Sequence, residues 1–87
     1  MSEQNGNSNS DVRALVEQIA KALVDRPGEV YVDEVPEEGA IVLELEVAEE
    51  DMGKLIGRHG RTVKALRSLV AAAGIRQRKR YSLEILE

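Results

Sequence analysis

Two stretches of apolar residues with helical spacing meet at a pair of glycines, and this junction restricts the fold of the chain more than any other feature. Gly57 and Gly60 flank two polar residues. Glycine lets the backbone adopt conformations that a side chain forbids, and it lets the backbone approach a ligand closely. The sequence therefore predicts a helix, a tight loop and another helix. The apolar positions are Met52, Leu55 and Ile56 before the loop and Val63, Leu66, Val70 and Ala73 after it.

A helix and a hairpin are predicted before this junction. Apolar residues follow a helical period from Val12, and Pro27-Gly28 is expected to stop that helix. Residues 30–35 and 41–47 alternate between apolar and other side chains, which predicts two strands. Residues 36–39 hold a proline and a glycine and are expected to form the turn of an antiparallel hairpin.

The remaining elements complete a two-layer domain. Carboxylates at residues 49–51 are expected to cap the short second helix, where they offset the positive end of its dipole. A third helix is predicted over residues 61–73 with Gly74 closing it, and a third strand over residues 81–85. The order is therefore αββααβ. An α+β fold follows, with a three-stranded sheet packed against three helices.

Length and composition predict one small domain. Residues 1–10 are polar, with no hydrophobic period, and are expected to be a disordered tail preceding a domain over residues 11–87. The chain has no cysteine, which excludes disulfides and thiolate metal sites. Neither a signal peptide nor an apolar segment of membrane-spanning length is apparent. A cytoplasmic protein is the resulting expectation.

Positive charge is concentrated in one part of the chain. The net charge is −4, yet residues 1–53 hold three basic and fourteen acidic side chains, whereas residues 54–80 hold nine basic and none acidic. Such a one-sided stretch predicts a positive face that attracts anions. The alternative is a solvated surface whose cations pair with the acidic half of the domain. The nine cations are Lys54, Arg58, Arg61, Lys64, Arg67, Arg76, Arg78, Lys79 and Arg80.

Catalysis is not expected. His59 is the only histidine, and nearby carboxylates that could complete a metal site with it are missing. Ser68 and Ser82 have no base beside them in the sequence, although a nucleophile needs one within hydrogen-bond reach. The sequence therefore predicts a protein that is not an enzyme and needs no cofactor.

The glycine junction is instead suited to an anion. Arg58 and His59 lie between the glycines, Lys54 precedes them and Arg61 follows. The helix after the loop adds free N–H groups and the positive end of its dipole. A DNA-reading helix-turn-helix is the nearest competitor. It is disfavoured because the second helix must also pack on the sheet and so presents few base-reading side chains.

Bases would have to be held without aromatic stacking. The only aromatic residues are Tyr31 and Tyr81, both on predicted strands and neither in the loop. An aliphatic groove is the expected substitute for an aromatic platform. Its candidate members are Leu55 or Ile56, Val63 and Leu66 on the helices, beside Ile41, Leu43 or Leu45 on the strand.

Residues 48–67 carry a longer motif, with the sequence AEEDMGKLIGRHGRTVKALR. This strand-to-helix segment resembles the signature of the K-homology (KH) domain in its bacterial type II arrangement. The chain is most similar to the small single-KH RNA-binding proteins of the KhpA family. The resemblance covers residues 11–87 and carries the expectation of a type II KH fold.

The resemblance implies an RNA chaperone that binds single-stranded RNA with low sequence specificity, in a groove about four nucleotides long. Gly57, Arg58, His59 and Gly60 would clamp the RNA backbone. The groove would be lined by Ile56, Val63 and Leu66, and Lys54, Arg61 and Lys64 would add phosphate contacts. The family also implies a homodimer, or a heterodimer with a KhpB (Jag) type protein, and roles in cell shape and cell wall biogenesis.

Two alternatives stay open at this point. The chain could be a KH-like protein-interaction or ribosome-assembly module in which the loop is only structural. Separately, the basic residues 76–80 could extend the RNA path or cover a carboxylate-rich surface of a partner.

Overall fold

The computed structural model describes residues 11–87, so the predicted tail at residues 1–10 lies outside the described part of the chain. The helices and strands occur in the predicted order αββααβ, which confirms the α+β fold. Three short 3-10 turns, at Pro27–Glu29, Glu49–Asp51 and Arg58–Gly60, lie between them. The elements are α1 (Asp11–Leu23), β1 (Tyr31–Glu37), β2 (Ala40–Glu46), α2 (Met52–Ile56), α3 (Arg61–Arg76) and β3 (Tyr81–Ile85).

The three strands form one mixed sheet in the order β1-β2-β3. β1 pairs antiparallel with β2, as the predicted hairpin requires. β2 and β3 are parallel, with Leu43 opposite Leu83, because the chain crosses from one to the other through α2 and α3. The carboxyl ends of β2 and β3 therefore lie side by side at the same end of the sheet, next to the residues that lead into α2.

The hydrophobic core draws side chains from all of the helices and strands. Leu43, Leu45 and Leu55 have no exposed surface, and the core side of α1 is equally buried at Val12 and Ala20. Truncating a leucine in such a position to alanine typically costs about 2–5 kcal/mol. The apolar periods that predicted the elements are thus the residues that hold the two layers together.

The ends of two elements differ from the prediction. α1 ends at Leu23, ahead of the predicted stop at Pro27-Gly28. The hairpin turn is shorter than predicted, because Pro36 pairs with Ile41 and Glu37 with Ala40. Pro36 is tolerated because β1 is an edge strand, where a missing N–H need not interrupt the sheet.

The sequence predicted that Gly74 closes α3, but it does not. The helix continues to Arg76, and Gly74 is buried within it. A Cβ atom on Gly74 would lie 2.7 Å from the carbonyl oxygen of Lys79 and 2.8 Å from Cδ1 of Tyr81. The glycine is therefore required by the close approach of the chain that enters β3, and not by the end of the helix.

Asp51 is not a helix cap, contrary to the prediction for residues 49–51. Its side chain is 1% exposed and makes no capping hydrogen bond to α2. The carboxylate instead accepts hydrogen bonds from the backbone N–H groups of Asp25 (3.2 Å) and Arg26 (3.0 Å). Asp51 thus fixes the connection between α1 and β1 against the start of α2.

Candidate functional site

The loop between α2 and α3 is a single hydrogen-bonded turn. The N–H of Gly57 donates to the carbonyl oxygen of Gly53 at 2.9 Å and ends α2. The N–H of Gly60 then donates to the carbonyl oxygen of Gly57 at 3.0 Å, and that of Arg61 to Arg58. The sequence prediction of a helix–loop–helix unit is confirmed.

The two glycines of the loop are required for different reasons. Gly57 has φ 81° and ψ 167°, a region essentially restricted to glycine. A Cβ atom there would also press on the side chain of Thr62 and lie 2.9 Å from its backbone nitrogen. Gly60 has φ 72° and ψ 16°, the left-handed helical conformation, and a Cβ atom there would meet no atom within 4 Å. At position 57 both the backbone conformation and the lack of space for a Cβ atom require glycine. At position 60 only the backbone conformation favours glycine.

His59 also has a left-handed backbone, with φ 57° and ψ 26°. Histidine, asparagine and aspartate are the non-glycine residues that adopt this conformation most often. Its cost is about 1–2 kcal/mol for a residue that has a Cβ atom. Both Arg58 and His59 are exposed on the turn. The loop thus presents two polar side chains to solvent from a tightly constrained backbone.

Most of the cations of residues 54–80 form no ion pair with another residue of the range 11–87. Lys54 forms an ion pair with Asp25, at 3.1 Å between Nζ and Oδ2. The other eight basic side chains form no ion pair within residues 11–87. The alternative in which the cations pair with the acidic half of the domain thus describes Lys54 but does not account for the other eight. Its charge is available to an anion from outside.

Three of these cations and His59 lie around the loop. Arg61 and Lys64 are exposed on the first turn of α3, and Arg58 and His59 are exposed on the loop itself. Residues three positions apart lie on the same side of a helix, so Arg61 and Lys64 are neighbours. We call Arg58, His59, Arg61 and Lys64 the loop surface. Lys54 lies one turn before it on α2, half-exposed and paired with Asp25.

The apolar residues predicted to line a groove are mostly in the core. Ile56 is 38% exposed, whereas Val63 is 8% and Leu66 is 2% exposed. Of the other candidate members, Leu43, Leu45 and Leu55 are fully buried and Ile41 is partly buried. Of the predicted groove residues on the helices, Ile56 is thus the one with substantial exposed surface.

An open cleft of about 860 Å³ lies beside Ile56, at the edge where β2 and β3 end. Its apolar lining comes from four further residues, and four carboxylates surround it. None of these eight residues was predicted as part of the site. They are Val47, Ala48, Met52 and Leu86 for the lining, and Glu29, Glu46, Glu49 and Glu87 for the carboxylates.

Arg67, predicted only as one of the nine cations, also makes a contact within the domain. Its Nε donates to the backbone carbonyl oxygen of Leu83 at 3.4 Å. Because β3 is an edge strand, this hydrogen bond links α3 to the open side of the sheet. The contact between Arg67 and Leu83 depends on the pairing of β3 with β2. Because that pairing is not a local feature of the sequence, the contact could not be predicted from the residues around Arg67.

Residues 11–87 offer neither a membrane-spanning helix nor a metal-binding cluster. Within that range no helix is long and apolar enough to cross a membrane. Nor do three or more histidine, aspartate or glutamate side chains in that range come together in an arrangement that could hold a metal ion.

Comparison with known proteins identifies the family. The family model for the KH domain of KhpA and KhpB matches residues 13–85. The RNA-binding protein KhpA of Treponema pallidum (strain Nichols) is 53% identical over 73 residues, which cover 84% of this chain and 91% of that protein. The RNA-binding protein KhpA of Clostridium perfringens (strain 13 / Type A) is 52% identical over 75 residues, covering 86% of this chain and all of that protein. No solved structure matches the chain.

These matches confirm the resemblance to the KhpA family, and they cover most of the chain, as expected. The family is one of KH domains and is non-enzymatic, in agreement with the prediction that the protein is not an enzyme. The chain therefore belongs to the KhpA/KhpB family of KH-domain proteins.

Proposed function

We propose that this protein binds single-stranded RNA, with the loop surface holding the phosphates and the adjacent cleft receiving bases. The observation that carries the proposal is the set of eight basic side chains in residues 54–80 that have no ion-pair partner within residues 11–87. Concentrations of unneutralised cations at the surface are the electrostatic footprint of nucleic-acid binding. The names of the relatives as RNA-binding proteins support the same conclusion.

The loop supports phosphate binding through both backbone and side chains. The glycine at position 60 leaves open space next to the first N–H groups of α3, and Arg58 projects from the same turn. Arg61 and Lys64 continue the positive surface along the helix. Contacts of this kind position the RNA and carry no sequence information, so the protein binds with low sequence specificity. That property suits an RNA chaperone.

The cleft supports a different role, because carboxylates surround it. Glu46 and Glu49 repel phosphates, so the sugar–phosphate backbone stays on the loop surface while bases cover the apolar lining. Ile56 connects the loop surface with the cleft, since it is the last residue of α2 before the loop and also lines the cleft. Val63 and Leu66 are buried, so they contribute to the site only indirectly, by holding α3 in place.

Affinity per domain is expected to be low. Tyr31 is 59% exposed but lies on β1, and Tyr81 is 5% exposed on β3, so neither offers a stacking platform in the loop. Base stacking on aromatic side chains contributes about 1–3 kcal/mol per base in other single-strand binders. Pairing of two domains restores affinity through effective concentration. A homodimer, or a heterodimer with a KhpB (Jag) type protein, provides that pairing, and RNA as the ligand implies a cytoplasmic site of action.

The test is fluorescence anisotropy of a labelled single-stranded RNA pool, titrated with wild type and with an Arg58→Asp, His59→Asp double variant. The variant should remain folded, because both side chains are exposed and aspartate tolerates the left-handed backbone at position 59. We expect wild type to bind, with log affinity falling against log salt by about 0.7 per phosphate contacted. The folded variant should bind much more weakly.

A control variant separates local contacts from total charge. Gln18→Asp with Lys21→Asp changes the net charge by the same amount on the exposed side of α1. We expect this control to bind RNA nearly as wild type does. Equal binding by wild type and the loop variant would refute the proposed role of the loop. If wild type binds no RNA at low salt, the protein-module alternative replaces the proposal.

A further inference from the structure

Four of the free cations lie far from the loop, in the connection from α3 to β3. Arg76, Arg78, Lys79 and Arg80 are all exposed, and none forms an ion pair within residues 11–87. We call these four residues the α3–β3 cluster. Like charges at such short spacing repel one another unless an anion offsets them. The cluster is thus a second concentration of positive charge on the domain.

The backbone of the cluster has a defined structure. The N–H of Arg78 donates to the carbonyl oxygen of Ile75, and the N–H of Lys79 to that of Gly74, both at 2.9 Å. These two hydrogen bonds form the Schellman pattern that ends many helices. The pattern places Arg78 in the left-handed region, with φ 59°. Glycine is the usual residue at this position, because a side chain there raises the backbone energy.

Helix capping explains only part of the cluster. A cation in the last turn of a helix interacts favourably with the dipole, which accounts for Arg76. Lys79 and Arg80 follow the end of the helix. Arg78 holds a strained backbone that glycine would relieve, so the stability of the turn does not account for an arginine at this position. A ligand for the side chains accounts for all four residues.

A shallow surface receives such a ligand. An open cleft of about 630 Å³ lies between the cluster, the hairpin turn at Gly39 and the exposed side of α3 at Ala71 and Ile75. Arg78, Lys79 and Arg80 line it, and no carboxylate does. An anion in this cleft meets three cations and no opposing charge.

The cluster and the loop surface lie at opposite ends of α3. The helix has sixteen residues, so the two surfaces are separated by about 24 Å. The exposed side chains between them include Ser68, Ala71 and Ala72, which are small and uncharged. No acidic residue occurs anywhere in residues 54–80. Asp11 of α1 lies beside Ala73 and Arg76 on one side of α3. No carboxylate lines the cleft on the side with Ala71 and Ile75, so a strand that leaves the loop surface can follow that side of the helix.

We propose that the α3–β3 cluster is a second phosphate-binding surface, which holds the same RNA strand outside the groove at the loop. The inference rests on the proposed function, since it concerns the path of RNA that the loop surface binds. RNA is favoured over an acidic protein because the acid-free track along α3 joins the cluster to the loop surface. Short RNA reaches only the loop surface, and long RNA reaches both.

The test compares two labelled RNAs of the same composition. The short one has about five nucleotides, slightly more than a KH groove accommodates. The long one has about 20 nucleotides, more than the usual site of one small binding domain. The cluster variant is Arg78→Gly, Lys79→Ser, Arg80→Ser, whose glycine preserves the left-handed turn. We expect its affinity for the long RNA to fall about tenfold and its salt slope to decrease by about 2, from three lost contacts at about 0.7 each. Its affinity for the short RNA should not change.

The outcomes separate this inference from the proposed function. If the Arg58→Asp, His59→Asp variant loses the short RNA while the cluster variant keeps full affinity for the long one, only the inference is refuted. An acidic protein would then be the remaining candidate ligand of the cluster. If the loop variant binds the short RNA as wild type does, the proposed role of the loop is refuted instead. If wild type binds neither RNA, both are refuted.

A single substitution tests the strain argument independently. Arg78→Gly should raise the melting temperature by a few degrees, because it relieves the left-handed backbone, and should weaken binding of the long RNA. Arg78→Lys keeps both the charge and the strain, so it should leave affinity and melting temperature near those of wild type. A stabilised Arg78→Gly variant with unchanged affinity for the long RNA would mean that Arg78 is not a phosphate contact.

Discussion

Replacing Gly57 by alanine should destabilise the domain far more than the same replacement at Gly60. Both residues have positive φ, so a rule based on φ alone expects equal effects. Their ψ angles differ, however, at 167° and 16°. An alanine at position 60 occupies the left-handed region that L-residues visit at moderate cost, whereas one at position 57 occupies a region that is essentially closed to them.

The magnitudes follow from the backbone and from the space around each residue. Gly60→Ala meets no neighbour within 4 Å, so its loss is the left-handed cost less the entropy gained in the unfolded chain, or about 1 kcal/mol. Gly57→Ala adds a contact with Thr62, including 2.9 Å to its backbone nitrogen at the start of α3. Backbone strain of about 1–3 kcal/mol plus the shift of α3 gives a loss of about 3–4 kcal/mol.

Urea and thermal unfolding followed by circular dichroism measure both losses. For a domain of this size, about 1 kcal/mol corresponds to a shift of about 4–8 °C in melting temperature. Gly60→Ala should therefore melt about 5 °C below wild type, and Gly57→Ala about 15 °C or more below it. Unchanged m-values would indicate that the folded and unfolded states expose the same surface as before.

Two other glycines serve as matched controls. Gly39 has φ 75° and, like Gly60, open space for a Cβ atom, so Gly39→Ala should lack the steric part of the loss expected at Gly57. Gly53 lies within α2, has no positive φ, and also has open space, so Gly53→Ala should stabilise the domain by about 0.5–1 kcal/mol. Equal losses at positions 57 and 60 would refute the reasoning, because contact with Thr62 would then contribute nothing.

Three further predictions concern carboxylates. Asp51→Ala should lower the free energy of unfolding by about 2–4 kcal/mol in thermal unfolding, because two backbone N–H groups lose a buried acceptor. Glu46→Gln with Glu49→Gln should raise RNA affinity several-fold in anisotropy at low salt, and unchanged affinity would place the RNA away from the cleft. A hydrogen bond from Lys21 lowers the pKa of Glu17 in the folded protein below its value of 4.5 in the unfolded chain. The ionised carboxylate therefore stabilises the fold at pH values above 4.5, and this stabilisation is lost as the pH falls through the lower pKa of the folded state. Glu17→Gln should therefore cost about 0.5–1 kcal/mol at neutral pH, from two ion pairs within α1, and nothing in strong acid.

The order of elements could be predicted because each element carries its own apolar period. The residues that set those periods, such as Val16, Leu43 and Leu83, are the residues that the fold buries. The ends of elements were less accessible, because they depend on contacts between distant residues. Gly74 has the residue type of a helix end, but its conformation is helical and its role is to let the chain pass closely at Tyr81.

The same distinction applies to the candidate site. The glycine loop and its cations are local features, and the sequence located them correctly on a turn between two helices. The cleft is not local, because it forms where β2 and β3 end together and brings Val47 next to Leu86. Asp51 is a similar case, since its hydrogen-bond donors lie 26 and 25 residues earlier in the chain. Nothing in the sequence around it indicates a buried carboxylate.

Backbone strain links the two ends of α3. Among residues 11–87, His59 and Arg78 are the only non-glycine residues with positive φ, and they lie just before and just after this helix. Glycine would satisfy either turn with less strain, so the backbone alone does not explain why side chains stand there. Both side chains are exposed, His59 in the loop surface and Arg78 in the α3–β3 cluster. Because the two positions are far apart, their costs should add, and relief of the strain at one should not alter the other. If the side chains bind phosphate, the domain gives up stability at both ends of one helix in order to hold a single RNA strand along it.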